Sequence, residues 1–427
     1  MTYFKRNIFL FFVLFISCLQ SQTRIKAMFY NTLNYNSDIQ SQSRTSYLKT
    51  ILESVQPDLF MVCELKNESA SNYLFENAIL PFNKNFRKTP FRNVVSPAKD
   101  LIQMAYYNSE KLILENESVT GTNVRDINHY TFKVNSENSE SNPIIIEVFV
   151  THLKASKGFQ NRMQRLESVE NFVRDLERIP VDRTILFAGD FNFYSSNEEG
   201  FLKIIDPSNP IKIIDPINRL CPPFPNNDID YFDENNFNST YFWNNSSFAD
   251  LHSQSTRTSQ VNGDGAGGGM DDRFDFIMMS ENLISNPDIY YINNSYKTIG
   301  NNGNCYDSYV RNPNCTGEYS QELRNALYFF SDHLPIYMEI ETPKNTLSVT
   351  KNNNPIKFIG SNLISDFLSL HLYEEIKVIF IYNQLGQKIF ELENTNTTEI
   401  KITTSSFPKG IYYLKTKGYK PLKFIKI

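Results

Sequence analysis

The chain has 427 residues, 41% of them hydrophobic and 21% charged, with a formal net charge of −5 at pH 7. That length calls for two or three domains with real cores, and the composition excludes a wholly disordered chain. The acidic balance argues against tight nonspecific binding of nucleic acid and suits a site that gathers divalent cations.

Residues 1–21 read as a secretory leader. Lys5 and Arg6 precede an apolar run, 8–16, that is too short to span a bilayer, and Gln20, Ser21 and Gln22 are polar. Cys18 makes a lipoprotein leader the lesser alternative. Export implies an oxidising compartment for Cys63, Cys221, Cys305 and Cys315. Cys305 and Cys315 flank a short polar loop and are the expected disulfide. Cys63 reads as a buried thiol, and no C-x-x-C spacing points to zinc.

Residues 24–30 read as the first strand, with Asn31 at its end. Residues 43–55 carry Leu48, Ile51, Leu52 and Val55 at helical spacing, with Ser43 as the N-cap. Residues 59–62 form a buried strand, and Glu64 follows Cys63 at its end. Residues 101–107 and 111–114 read as a strand pair. Residues 144–150 (IIIEVFV) are another buried strand, with His152 just past its end. Residues 159–176 form an amphipathic helix with Met163, Leu166, Val169, Val173 and Leu176 on one stripe.

Residues 184–188 (TILFA) read as a strand buried on both faces. It ends at Gly189, and Asp190 and Asn192 follow at a spacing that puts both on one face of an extended segment. A carboxylate there can take a proton or help hold a cation, and an amide can grip a phosphate oxygen. Residues 195–270 read as long surface loops. Asp228, Asp230 and Asp233 lack the glycine and closing glutamate of a calcium loop. Residues 263–269 (GDGAGGG) lack the Lys-Ser/Thr of a phosphate cradle and read as a hinge. Tyr241, Phe242 and Trp243 look like an exposed aromatic cluster.

Residues 273–279 form a strand in which Asp275 points away from Phe274 and Phe276, so that its charge needs a partner. Asp332 and His333 sit between apolar segments, at the edge of a core. Residues 343–354 read as a linker. From Pro355 onward, short alternating strands at 367–372, 376–382, 388–392, 399–402, 411–414 and 422–427 read as a small all-β sandwich. Residues 343–427 carry 12 Lys, no Arg and 6 acids, a net of +6, which leaves the body after the leader at −13.

Six segments in order, FYN at 29–31, CEL at 63–65, THL at 151–153, GDFN at 189–192, RFDF at 273–276 and SDHLPI at 331–336, resemble the motifs of the endonuclease/exonuclease/phosphatase family. The resemblance covers roughly residues 24–340. It implies a four-layered α/β sandwich of the deoxyribonuclease I-like kind within 22–342. It further implies hydrolysis of a phosphate ester with Mg²⁺, or alternatively Mn²⁺ or Ca²⁺. Glu64 would be the main metal ligand, with Asn31 and Asp332 nearby. Asp275 would orient His333, His152 and Asn192 would contact the scissile phosphate, and Asp190 would align or deprotonate water. Whether Asp190 or His333 takes the water proton stays open.

His152 stands where the deoxyribonuclease I and sphingomyelinase branches carry histidine. The expectation is a secreted monomeric nuclease acting on extracellular DNA or RNA. A sphingomyelinase-like phospholipid phosphodiesterase is the alternative, and a catalytically dead surface-binding protein the lesser one. The tail, through IYNQLGQKIFEL at 381–392, FPKGIYYLK at 407–415 and KFIKI at 423–427, resembles the sorting domain of type IX secretion substrates. That resemblance implies that 355–427 engages the type IX machinery and that the protein passes through the periplasm to the cell surface or beyond.

Overall fold

The structure, a computed structural model, describes residues 23–427 apart from 93, 99–100, 137–138, 225–238, 344–355, 374–375, 394–396, 417–418 and 420. The expected leader, the aspartates at 228, 230 and 233, and residues 344–354 of the expected linker lie outside the described residues. Two compact units divide the chain, Met1–Leu347 and Ser348–Ile427.

The larger unit opens with β1 (Thr23–Tyr35), α1 (Ile39–Ser43), α2 (Thr45–Val55) and β2 (Leu59–Leu65). Helix α3 (Glu68–Leu74) continues through a π turn into α4 (Leu80–Phe82). Strands β3 (Phe86–Lys88), β4 (Ile102–Asn108), β5 (Leu112–Thr120), β6 (Ile127–Val134) and β7 (Ile145–His152) follow. Next come α5 (Phe159–Leu176), β8 (Thr184–Asp190), α6 (Glu199–Ile204), β9 (Ile213–Ile214) and β10 (Asp275–Ser280). The unit closes with β11 (Tyr290–Tyr291), β12 (Lys297–Thr298), α7 (Gln321–Phe330) and β13 (Ile336–Thr342).

One sheet runs β11-β13-β1-β2-β4-β3, with β12 also on β13, and the other β5-β6-β7-β8-β10-β9. Each is built around a parallel pair, β1 with β2 and β7 with β8, joined by a helical crossover. Antiparallel strands flank both pairs. The alternation of side chains along each strand then divides the apolar residues among three cores. Ala27, Phe29, Met61, Val148, Leu186, Ala188 and Ile277 fill the space between the sheets. Tyr30, Phe60, Val62 and Tyr106 face outward onto Leu48, Ile51, Leu52, Leu327 and Phe330 of α2 and α7. Phe149, Ile185, Phe187 and Phe276 face the opposite way, onto Val169, Phe172 and Leu176 of α5. The result is a four-layered α/β sandwich. Each fully buried Phe or Leu in it contributes roughly 1.5–3 kcal/mol.

The central strand is as apolar on both faces as its sequence requires, with all seven residues of β8 buried. Gly189 is needed there because a Cβ would sit 2.5 Å from the Thr151 carbonyl oxygen and 2.8 Å from the Phe191 ring. Thr151 is its register partner on β7, so a side chain at 189 would push the two strands apart.

Several local expectations are corrected. Residues 101–107 and 111–114 do not pair: β4 bonds to β2 and β3 in one sheet, and β5 bonds to β6 in the other. The strand at 127–134 is additional to those expected, with Tyr130, Phe132 and Val134 buried in alternation with Thr131 and Lys133. Ser43 does not cap the first helix, since Asp38 caps α1 through its side chain and α2 starts after Arg44. The buried stripe of α5 is rotated toward Arg162 and Arg165, which reach Glu199 at 2.9 Å and Glu198 at 2.8 Å. Phe242 and Trp243 are buried, not exposed, and Trp243 packs on Phe201 and Phe276. Cys305 and Cys315 form the disulfide, while Cys63 and Cys221 are buried thiols.

The smaller unit has β14 (Ile356–Phe358), β15 (Leu363–Ile364), β16 (Phe367–Leu372), β17 (Val378–Asn383), β18 (Lys388–Glu393), β19 (Glu399–Thr403), β20 (Gly410–Lys415) and β21 (Leu422–Lys426). They form sheets β14-β16-β19 and β15-β21-β20-β17-β18. Alternating residues enclose a core of Leu368, Leu370, Ile379, Ile381, Leu414 and Phe424.

Candidate active site

The register of the second sheet sets three of the site residues in one row. His152, the last residue of β7, pairs with Asp190, the last of β8, and Asp190 pairs with Asp275, the first of β10. The first sheet supplies the facing residues. Asn31 on β1 pairs with Cys63 on β2, next to Glu64, and His333 lies three residues ahead of β13. Asn31 and Glu64 are within strands rather than after them. The β1–β2 register breaks between Asn31 and Tyr35, and Leu33, Asn34 and Glu64 take φ of 49°, 48° and 61°. Asn192 has φ of 53°, so it does not continue the extended segment through Asp190. Such left-handed conformations cost on the order of 1 kcal/mol each and persist where surrounding contacts hold them.

Those contacts are specific. Asn31 Nδ2 donates to Glu64 Oε1 at 2.9 Å and Asp190 Oδ2 at 3.0 Å, while its Oδ1 accepts from Leu33 N at 2.9 Å. Glu64 Oε2 accepts from Asn34 N at 2.8 Å. His152 Nε2 lies 3.5 Å from Asp190 Oδ2 and 3.8 Å from Glu64 Oε1. His333 Nδ1 meets Asp275 Oδ2 at 2.7 Å, and its Nε2 lies 3.8 Å from Asp190 Oδ2. The Asn192 backbone N–H donates to Asp190 Oδ1 at 3.2 Å, and its side-chain amide reaches the Leu153 carbonyl at 3.5 Å. Asp332 turns Oδ2 toward Ala266 N, 2.6 Å away, and Oδ1 is buried with no hydrogen-bond partner among the described residues.

Two participants were not legible beforehand. Gln254 Nε2 sits 2.6 Å from His333 Nε2 and 3.3 Å from Asp332 Oδ2. Ser253 Oγ donates to Asp275 Oδ2 at 2.6 Å and accepts from the Asp275 N–H at 3.1 Å. Both lie in the long loop region, where no motif or periodicity marks them. The glycine-rich 263–269 stretch is packed against the site through Ala266, not set apart as a hinge.

The electrostatics follow from four buried or partly buried carboxylates around two imidazoles. Burial opposes charge on His333, but Asp275, Asp190 and Asp332 together lift its pKa well above the ordinary value. Burial pushes the Asp190 carboxyl up, against the pull of His333 and with the help of Asp275 and Glu64. Burial also raises Glu64, reinforced by Asp332. His152 goes the other way: burial, then the charges of Arg125, His333 and Lys154, drop its pKa well below the ordinary range. A neutral His152 therefore faces the carboxylates as a donor, and a protonated His333 is held by Asp275.

The excess of carboxylate fits a hard divalent cation. Oxygens of Glu64 and Asp190 and a nitrogen of His152 lie within 4.8 Å of one another. Asp332 Oδ1 is an orphaned buried oxygen, and its carboxylate is near enough to push the Glu64 pKa up. Asn31, by contrast, presents its nitrogen to this group.

Residues 362–427 match the family model described as the secretion system C-terminal sorting domain. The tail is thus a type IX sorting domain, and it marks the chain for export to the cell surface or beyond. No helix among the described residues is long and apolar enough to cross a membrane. No curated protein matches the chain. Among solved structures, it is similar to D. rerio TDP2 complexed with a single-strand DNA product, at 14% identity and TM-score 0.45, over 75% of this chain and 100% of that one. An endonuclease/exonuclease/phosphatase family protein from Bacteroides thetaiotaomicron matches at 13% identity and TM-score 0.43, over 75% and 96%. A mannosyl-6-phosphatase from the same organism matches at 12% identity and TM-score 0.43, over 74% and 99%.

Proposed function

We propose that the larger unit is a divalent-metal-dependent phosphoric ester hydrolase of the endonuclease/exonuclease/phosphatase family, exported as a nuclease that cleaves extracellular DNA or RNA. The observation that carries this reading is the convergence of the 2.7 Å Asp275–His333 pair with Glu64, His152 and Asp190 at the ends of two packed sheets. Six motifs dispersed over some 300 residues of sequence meet there.

Glu64 and Asp332 would hold the cation, which when bound polarises a phosphoryl oxygen. Asn31 acts as a strut: its amide ties Glu64 to Asp190 and keeps their oxygens turned inward. Asp275 fixes the His333 ring through Nδ1, and Nε2, which meets the Gln254 amide at 2.6 Å, would turn to the phosphate once substrate displaces that contact. His333, protonated in this field, stabilises charge growing on the phosphoryl group. His152, neutral, donates from Nε2, and the Asn192 side-chain amide lies on the same side. Asp190, whose Oδ2 lies 3.5 Å from His152 Nε2 and 3.8 Å from His333 Nε2, takes the proton from the attacking water. His333 could serve as base only after losing a proton that three carboxylates hold in place.

The phospholipid reading needs an exposed apolar element for membrane contact. Phe242 and Trp243, its best source in the sequence, are buried in the core. The deciding experiment incubates the purified exported chain with plasmid DNA, RNA, sphingomyelin and a chromogenic phosphodiester, each with Mg²⁺ and with chelator. Metal-dependent cleavage of DNA or RNA alone is the expected result. Cleavage of sphingomyelin alone, or of none of the four, would overturn the proposal.

A further inference from the structure

A polar cavity of about 390 Å³ lies beside the metal-binding side of the site, lined by Asn34, Arg44, Lys66, Arg257 and Asp264 among others. It shares a wall with the site: Asn34 N holds Glu64, and Asn34 Nδ2 holds Asp264 Oδ1 at 3.1 Å. Arg257 is 1% exposed. Its Nε donates to the Tyr328 carbonyl at 2.9 Å. Among the described residues, neither of its terminal nitrogens has a hydrogen-bond or ion-pair partner. Arg44, also buried, is bound to the carbonyls of Thr32, Leu33 and Phe330, with no carboxylate among its hydrogen-bond partners in the described residues.

Asp332 and Asp264 favour the Arg257 charge and Asp264 that of Arg44, but burial, and at Arg44 the neighbouring charge of Arg257, outweighs them, so the pair leaves positive charge incompletely offset. The carboxylates around the cavity are engaged otherwise. Asp38 caps α1 at Ser41 N, 2.7 Å away, Asp264 accepts from Asn34 and from Gly265 N, and Asp332 accepts from Ala266 N. Gly265 is wedged between the groups: its φ is +84°, and a Cβ there would come within 3.1 Å of Arg257 Nη1 and 3.2 Å of Asp332 Cβ. The glycine-rich loop thus packs Arg257 between the site and the cavity wall.

We propose that this cavity is an oxyanion subsite, taking a phosphate group other than the scissile one, with Arg257 as its principal ligand and Lys66 at its edge. The planar fork of an arginine suits a phosphate bound through two oxygens. The subsite rests on the hydrolase reading only for the claim that its phosphate can belong to the substrate.

The test uses the full exported chain in chelator, with inorganic phosphate as the probe. Calorimetry should show binding, and tenfold saturation should raise the unfolding temperature by about 3 °C. Arg257→Gln should abolish both, and Lys66→Ala should weaken binding about tenfold if Arg257→Gln fails to fold. His333→Ala should keep the binding. Loss of phosphate binding in His333→Ala with retention in Arg257→Gln, or no binding by the unaltered chain, would overturn the subsite. These readouts need no activity, so an inactive protein that binds phosphate through Arg257 would sink the hydrolase reading alone. A second arm separates the sources. If the substrate supplies the phosphate, kcat/KM for a 5′-phosphorylated dinucleotide should exceed that of the unphosphorylated one about tenfold, and Arg257→Gln should erase the difference. If the phosphate is free, it should instead alter turnover of a simple chromogenic diester, in an Arg257-dependent way.

Discussion

Replacing Asp275 with Asn tests whether Asp275 and His333 act as one unit. Asp275 is fully buried, and one oxygen, Oδ2, receives both His333 Nδ1 at 2.7 Å and Ser253 Oγ at 2.6 Å, while Oδ1 has no hydrogen-bond partner among the described residues. The amide is nearly the same size, so packing survives, but the charge that sustains a protonated His333 is gone. If the NH₂ of the new Asn faces the ring, Nδ1 must become an acceptor and the proton moves to Nε2 in the wrong tautomer. The loss should be on the scale of one preorganised electrostatic group, about 2–4 kcal/mol, or roughly 30- to 1000-fold in kcat/KM. His333→Ala should cost a similar amount. The double variant should cost little more than His333→Ala alone, because Asp275 has no other role in the chemistry. The assay is a double-mutant cycle in kcat/KM on whichever phosphodiester the substrate panel identifies, with circular dichroism to confirm folding. Fully additive losses would refute the coupling and return Asp275 to a purely structural role beside Ser253.

Glu64→Gln keeps the hydrogen bond to Asn34 N but removes a charge, so metal affinity by calorimetry should fall at least tenfold while the fold persists; unchanged affinity would shift the main ligand to Asp190 or Asp332. In chelator, Asp190 and His333 both have folded pKa values above their unfolded ones, so the stability they contribute is present at low pH and lost as pH rises through the folded values. The metal-free protein should therefore lose up to about 1.4 kcal/mol per pH unit through Asp190 from pH 5 up to its folded value of about 8, with His333 adding to the loss only above its ordinary value of 6.5, Mg²⁺ should restore it, and a flat thermal-denaturation profile would refute the assignment. Gly189→Ala should destabilise the larger unit by 1–3 kcal/mol or more, on the scale of an overpacked core, as read by urea unfolding; a neutral effect would mean that β7 and β8 separate at little cost. Deleting 348–427 should leave catalysis intact and strand the folded enzyme in the periplasm, and normal amounts of the truncated chain outside the cell would contradict that.

What the sequence made legible was whatever rests on periodicity and strand ends. The run at 184–188, with its Gly stop, located the centre of the second sheet, and Asp275, a lone charge in an apolar strand, announced that it needed a partner. Its partner, His333, could be named only through the resemblance of the SDHLPI segment, because 58 residues separate the two and no local pattern links them. Register errors came where polar and apolar residues mix. Residues 101–120 look like a hairpin, yet the chain crosses from one sheet to the other at 109–111, since each strand matches a different core face.

The least legible residues are those of the loop from 253 to 269, and the physical reason is general. Ser253, Gln254, Arg257 and Ala266 act through single contacts made at a distance: a hydroxyl on Asp275, an amide on His333, a guanidinium facing a cavity, a backbone N–H on Asp332. None of these requires hydrophobic spacing, and each is decided by what the two sheets bring near. The same independence from the core leaves such a loop free to carry specificity. The sheets fix Glu64, Asp190, Asp275 and His333 by register and burial. The loop only has to keep Gly265 small and Arg257 buried to add a second phosphate contact, and it can do so without altering a strand. If Arg257→Gln removes phosphate binding but leaves the stability of the sandwich unchanged, that separation of chemistry from selectivity is built into the way the chain divides its residues between strands and loops.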